Sequence, residues 1–382
     1  MNSEVMTGPA GGAADVPPAG EHPFRPASAT GPGTWSLSWH GVRTVAVLEL
    51  RQRVRSTRWA ISLAVWALSI GGLTTLIRVT LFNDGTSGAG REMFAVIVFL
   101  VLFLGMLVSP ALSATSVNGD RTAGILATMQ STLLTPAELA VGKLLAAWTS
   151  ALALLGTALP FVLWAYLEGG TPVGRLLVTL LLLALTLLVV CAIGLGFSAL
   201  TARTSSSAVL TYLTVTFLSL GLPLLFALTL PLVTSTEQVT TRQPVEVSQS
   251  ADGVTSTRCE TRTEESERTH TERTWWLLAP SPYVVVADAA PKPSRNSYSD
   301  PLTEIRSGVR EVRLGPEKIE DWCDDDLSEA QSIDRQDRRA DLPSTWPYGL
   351  ATDLLIGIGF MVLTVRRLRA PTDRLPRGTR IA

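Results

Sequence analysis

Six long apolar runs are spaced along the chain, at about residues 59–82, 93–117, 144–167, 175–200, 208–233 and 348–365. A helix needs roughly 20 residues to cross a hydrocarbon core about 30 Å thick, so each run reads as a membrane span. The pattern predicts an all-α polytopic membrane protein with six transmembrane helices. Pro110, Pro160, Pro223 and Pro231 fall inside the runs and should kink them, since proline removes a helix hydrogen bond. Gly194, Gly196 and Ser198 give the fourth run a small-residue face for close packing. Arg78, Glu92, Arg175 and Asp353 are read as sitting near span ends, leaving the middles free of charge.

Ahead of the first run, Trp35, Trp39, Val42, Val45, Ala46 and Leu50 recur at spacings of three and four. His40, Arg43, Thr44 and Glu49 are placed elsewhere on the wheel. This pattern predicts a helix lying in the membrane interface, with tryptophans at headgroup depth. Arg51, Arg53, Arg55 and Arg58 follow directly and read as an anchor. Residues 1–33, rich in Ala, Gly and Pro, are expected to be a disordered cytoplasmic tail. Residues 34–233 would hold the interfacial helix and helices 1–5, with 234–346 an extracytoplasmic insert, 347–369 helix 6, and 370–382 a basic tail.

Arginine placement orients this arrangement. The approach to the first span, the loop after the second, the turn at Arg203 and the tail with Arg366, Arg367 and Arg369 share one side under alternate threading. By the positive-inside rule that side is cytoplasmic, which puts both termini inside and makes the protein a multi-pass component of a cell membrane. Within the insert, residues 238–264 alternate Thr, Val and Glu around Asp252-Gly253 and predict a hairpin. The apolar stretch 275–289 is broken by Pro280 and Pro282 and is expected to lie against the outer leaflet.

Composition narrows the chemistry. The 382 residues are 46% hydrophobic with a formal net charge of −1, so whole-chain charge points to no partner and none suggests nucleic acid. Three histidines (His22, His40, His270) stand far apart, and no His or Cys pair has metal-ligand spacing. The run Asp324-Asp325-Asp326 lacks the spaced ligands and glycine of a calcium loop. Gly142-Lys143 is not a phosphate loop, because Ala137 stands where its first glycine belongs and Leu144 where Ser or Thr would hold magnesium. No catalytic set or cofactor is expected. Ion-coupled carriers place ionisable groups near the midplane, and these spans lack them. Cys259 and Cys323 share the insert, where an oxidising compartment would allow a bridge between them. Two free thiols fit the spacing as well.

The most specific stretch is the loop at 118–143, NGDRTAGILATMQSTLLTPAELAVGK. Asp120-Arg121 opens it, Gly124 and Leu126 follow, then Thr135-Pro136 with Glu138, and Gly142-Lys143 close it. Thr135 can cap a helix whose first position is Pro136, so two short helical pieces along the membrane face are expected.

This loop resembles that between the second and third spans of type-2 ABC exporter permeases, where E-R-x-x-G-T-L leads through T-P-L-x-x-x-E to G-K. Arg121, Gly124, Leu126, Thr135, Pro136, Gly142 and Lys143 match. Asp120 replaces Glu, Ile125 replaces Thr, and Glu138 sits slightly early. The approach Glu49-Leu50-Arg51-x-Arg53 is similar to the family's E-L-R-x-R, and Ser281-Pro282-Tyr283 to its Asn-Pro-aromatic segment without the Asn. The resemblance implies a permease half that pairs with a second half, identical or related, and binds cytoplasmic ABC ATPase subunits that hydrolyse ATP in its place. Asp120 through Lys143 would transmit ATPase closure, with Arg121 and Glu138 fixing two coupling helices by charge and Gly124 and Gly142 allowing tight turns. The alternative is a non-transporting receptor or scaffold that uses the insert, which is larger than a permease needs.

Overall fold

The structure, a computed structural model, describes residues 33–81, 89–125, 134–168, 172–249, 255–290, 300–316, 319–321, 335, 337–339, 341 and 342–369. Both expected tails, Leu126, the Asp252-Gly253 turn, Cys323 and residues 324–326 lie outside them. Among the described residues, six helices are long and apolar enough to cross a membrane. The protein is an all-α polytopic membrane protein, with one small β-sheet in the insert.

An interfacial helix, Trp39–Val54, precedes the spans and starts and ends four residues later than the wheel suggested. The first span is Thr57–Leu81 and the second Ala89–Ser113 with Pro110 inside it. A short link helix, Ser116–Thr122, follows the second span. The third span, Pro136–Leu167, is one continuous helix of 32 residues. Residues 136–143 are therefore its first two turns, and no separate piece lies along the membrane there. Nothing between Pro136 and Leu144 breaks a helix except Gly142, whose cost of about 1 kcal/mol is offset by a packing role described below.

The fourth span, Val173–Leu200, is the most enclosed and packs against the second, third, fifth and sixth. Small residues allow this, because apolar side chains gain little from leaving lipid and close backbone approach must supply the attraction. A Cβ on Gly194 would meet Ser113 Oγ, and one on Gly196 would meet the ring of Phe360 from the sixth span, Trp346–Leu368. The small-residue face read from the sequence is thus real.

The fifth span is segmented. Helix Thr204–Thr216 widens into a π turn at Phe217–Gly221, resumes at Leu222–Thr229 and closes in a 3₁₀ turn, Leu230–Val233. Leu222 N–H reaches back to Phe217 O just before Pro223, a widening that makes room for the proline ring and its missing donor. Between this span and the second lies an apolar cavity of about 430 Å³, lined by Phe103, Leu107, Tyr212, Val215 and Leu220 and floored by Tyr283.

The insert begins without a break. Strand β1, Thr234–Gln249, pairs antiparallel with β2, Thr255–Thr269, from Thr234↔Thr269 to Gln249↔Thr255. The hairpin is longer than the sequence suggested, since residues 234–237 and 265–269 pair as well, where β-branched Thr234, Thr236 and Thr269 suit a strand. A short β3, Ile319–Asp321, joins β1 in parallel. Stretch 275–289 does not lie flat against a leaflet. Its helix, Pro282–Ala289, has Val285, Val286 and Ala287 fully buried against the fourth and sixth spans and against a second insert helix, Pro301–Leu314. Asp288 holds this join: Arg310 donates to it at 2.9 Å, and the backbone N–H groups of Thr345 and Trp346, at the start of the sixth span, donate to its other oxygen. A carboxylate at a helix N-terminus is favourable because it meets unpaired N–H groups and the positive end of the dipole. Asp353, read as near an end, instead lies two turns into the sixth span and is buried.

Candidate functional site

At the end of the bundle opposite the insert, four elements meet: the interfacial helix, the link helix, the start of the third span and the end of the fourth. Thr135 has the extended backbone of an N-cap, and its Oγ1 accepts from Glu138 N at 3.2 Å while Glu138 Oε2 accepts from Thr135 N at 2.9 Å. Such a reciprocal box satisfies two orphan donors and contributes about 1 kcal/mol. Both side chains have a second use. Glu138 Oε1 accepts from Ser38 N at 2.8 Å, and Thr135 Oγ1 donates to Ser36 O at 2.7 Å. Ser38 is itself the N-cap residue of the interfacial helix, so one carboxylate ties together the beginnings of two helices.

One turn further, the two helices touch at glycine. A Cβ on Gly142 would lie within 3 Å of Val45, and one on Gly41 within 3 Å of the Glu138 carboxylate. The buried face of the interfacial helix is Gly41, Val42, Val45, Ala46 and Glu49. Glu49 thus belongs with the apolar stripe, whereas Trp35 and Trp39 are exposed.

Glu49 is buried for a reason. Lys143, whose side chain is fully enclosed, ion-pairs with both Glu49 and Asp120 and donates to Ser116 O at 3.2 Å. Each buried ion costs several kcal/mol in lost hydration, so the cluster holds together only because the lysine finds three oxygen acceptors. Beside it, Arg53 donates to Leu112 O at 2.8 Å and to Ser150 Oγ at 3.3 Å. The Leu112 carbonyl is among the last four of the second span, which have no helical partner. Arg53 is therefore a strut between the second and third spans, beyond the anchor role read from its neighbours.

The link helix rests on the fourth span. Its N-cap residue, Thr115, supplies no side-chain bond, and Ser198 Oγ accepts instead from Val117 N and Asn118 N at 3.0 and 3.1 Å. Asn118 Nδ2 donates to Thr201 Oγ1 at 3.2 Å. Arg121 reaches Thr201 O at 3.4 Å and Glu138 accepts from the backbone of Thr135 and Ser38, so both bond to backbone groups. Gly124 ends the link helix with φ +71°, a left-handed conformation in which only glycine is free of strain. Residues 121–125 are all exposed.

The sequence-predicted residues thus divide. Asp120, Thr135, Pro136, Glu138, Gly142 and Lys143 form one clamp, while Arg121 and Gly124 lie at the exposed tip of the link helix. Gly142 provides close helix packing and makes no turn. Sequence reasoning missed Glu49 and Arg53 as members; the signal was a single acid in an arginine-rich stretch at the spacing of Val42 and Val45. In the insert, Cys259 is disulfide-bonded and Cys191, in the fourth span, is a free buried thiol.

The chain matches no protein-family model and no curated protein.

Proposed function

We propose that the protein is the six-span permease half of an ABC exporter, working with a second half and with separate ATPase subunits at its arginine-rich, cytoplasmic end. The observation that carries this reading is an exposed tip on a stiff mount. Residues 121–125 are exposed at the end of a link helix whose start is capped by the fourth span and whose last turn is paired to the third. A push on such a tip is delivered to the second, third and fourth spans and to the interfacial helix together, because capping bonds and buried charges leave little slack between them. The loop's resemblance to the exporter permeases supports the same assignment. In this orientation both termini are cytoplasmic and the hairpin insert faces outward. The apolar cavity between the second and fifth spans suits a lipid-like or drug-like cargo.

The insert packs its two helices into the bundle, which favours a part of the transport domain over a free-standing receptor. Purification of the tagged protein in mild detergent tests the assignment. Recovery of a stoichiometric ATPase whose hydrolysis rate depends on the permease supports it. Recovery only with a kinase or an extracellular ligand would establish a receptor or scaffold in its place.

A further inference from the structure

We infer that the outward face of the interfacial helix is a binding surface for anionic phospholipid headgroups. The helix cannot roll, because Gly41, Val42, Val45, Ala46 and Glu49 are locked against the third span. That fixes which side chains point away. Arg43, Arg51 and Arg55 are all exposed on the remaining face, beside a groove of about 520 Å³ lined also by His40, Thr44 and Leu48. None of the three guanidinium groups has a hydrogen-bond or ion-pair partner among the described residues. The only acid of the helix, Glu49, is buried and paired with Lys143, so the exposed face carries three positive charges and no negative one.

Two features favour a membrane leaflet over an acidic protein as the occupant. Trp39, Leu48 and Val54 are exposed among the arginines, at 74%, 44% and 64%. Apolar and aromatic bodies interleaved with guanidinium heads are the composition that headgroup depth selects, with tails in the acyl boundary and charges at phosphate level. The helix also ends only two residues before the first span begins at Thr57, which holds it at the membrane boundary. Arginine near an anionic leaflet favours binding by roughly fivefold per residue, and each fork can grip a phosphate through two N–H donors. This inference needs six spans and a fixed helix, and does not depend on transport.

The test uses the full chain in phosphatidylcholine vesicles with trace spin-labelled phosphatidylglycerol or phosphatidylcholine. The protein-immobilised fraction should favour phosphatidylglycerol by about fivefold or more at low salt and lose that preference as salt rises. Joint Arg43→Gln, Arg51→Gln and Arg55→Gln substitution should bring the two lipids to near parity, while joint Arg366→Gln and Arg367→Gln substitution should leave most of the preference. If the glutamine variant fails to insert, the corresponding lysine triple, which keeps the charge, should retain the preference. A wild-type protein with no preference overturns the inference. So does a salt-insensitive preference, or one unchanged in an inserted glutamine triple, even if that triple loses a protein partner.

Discussion

Val45 and Gly142 meet with no room between them: a Cβ built on Gly142 would stand 2.6 Å from Val45 Cβ and 3.0 Å from Val42 O. Both obstacles are stiff, one a branched side chain held by its helix and the other backbone. In an exposed helix, Gly→Ala would add stability, about 1 kcal/mol. Here the steric cost reverses the sign. Gly142→Ala should loosen the interfacial helix, lowering thermal stability in detergent by roughly 1–3 kcal/mol and speeding proteolysis between residues 36 and 55. Gly156→Ala, with nothing within 4 Å of its added carbon, should not.

Lys143 ion-pairs with both Glu49 and Asp120. Lys143→Met leaves two carboxylates facing each other with only the more distant Arg53 near Glu49 and should cost about 3 kcal/mol, read as a fall of several degrees in unfolding temperature. Adding Glu49→Gln and Asp120→Asn to the same chain should recover most of that loss. Equal damage in the single and triple variants would mean that lysine packing, and not charge balance, holds the clamp.

At the base of the hairpin, His270 Nδ1 lies 2.7 Å from Glu272 Oε1 and Nε2 lies 2.9 Å from Glu237 Oε1. Two carboxylate acceptors call for two N–H donors, which only the imidazolium supplies. The hydrogen bond to Glu272, followed by that to Glu237, raises the pKa of His270 above 6.5. A raised folded-state pKa gives stability that is complete below the unfolded value near 6.5 and lost as pH climbs through the folded one. The hairpin base should therefore be tightest in mildly acidic medium and loosen above neutrality. Unfolding temperature measured from pH 5.5 to 8.5 should show this slope in wild type and a flatter one in His270→Gln. Matching slopes would remove the histidine from the account.

Much of this was legible in the sequence, and the gaps have physical causes. Span count follows from run length alone, because a bilayer sets a length that water-soluble cores do not. The box at Thr135 and Glu138 is local, with both partners inside one turn, so spacing reveals it. Ser198 capping Val117 and Asn118 joins residues some eighty positions apart, and no local pattern records such a meeting. Residues 136–143 read as a surface piece because the unbroken apolar run starts only at Leu144, and Gly142 and Lys143 just ahead of it are poor residues for a packed helix interior. Packing at Val45 and the two carboxylates make them good ones here. The π turn before Pro223 and the burial of helix Pro282–Ala289 likewise depend on neighbours that the sequence does not name.

ATPase coupling is read from the hydrolysis rate of the purified ATPase bound to variants of the exposed tip. Gly124 holds φ +71° with open space around it, so Gly124→Leu strains the tip without disturbing the clamp. Inserted, ATPase-bound Gly124→Leu and Arg121→Ala proteins should lose most permease-dependent change in hydrolysis, while Thr122→Ser should behave as wild type. Hydrolysis in both tip variants indistinguishable from wild type, in complexes of equal stoichiometry, would contradict the proposal that this tip carries the ATPase stroke into the membrane.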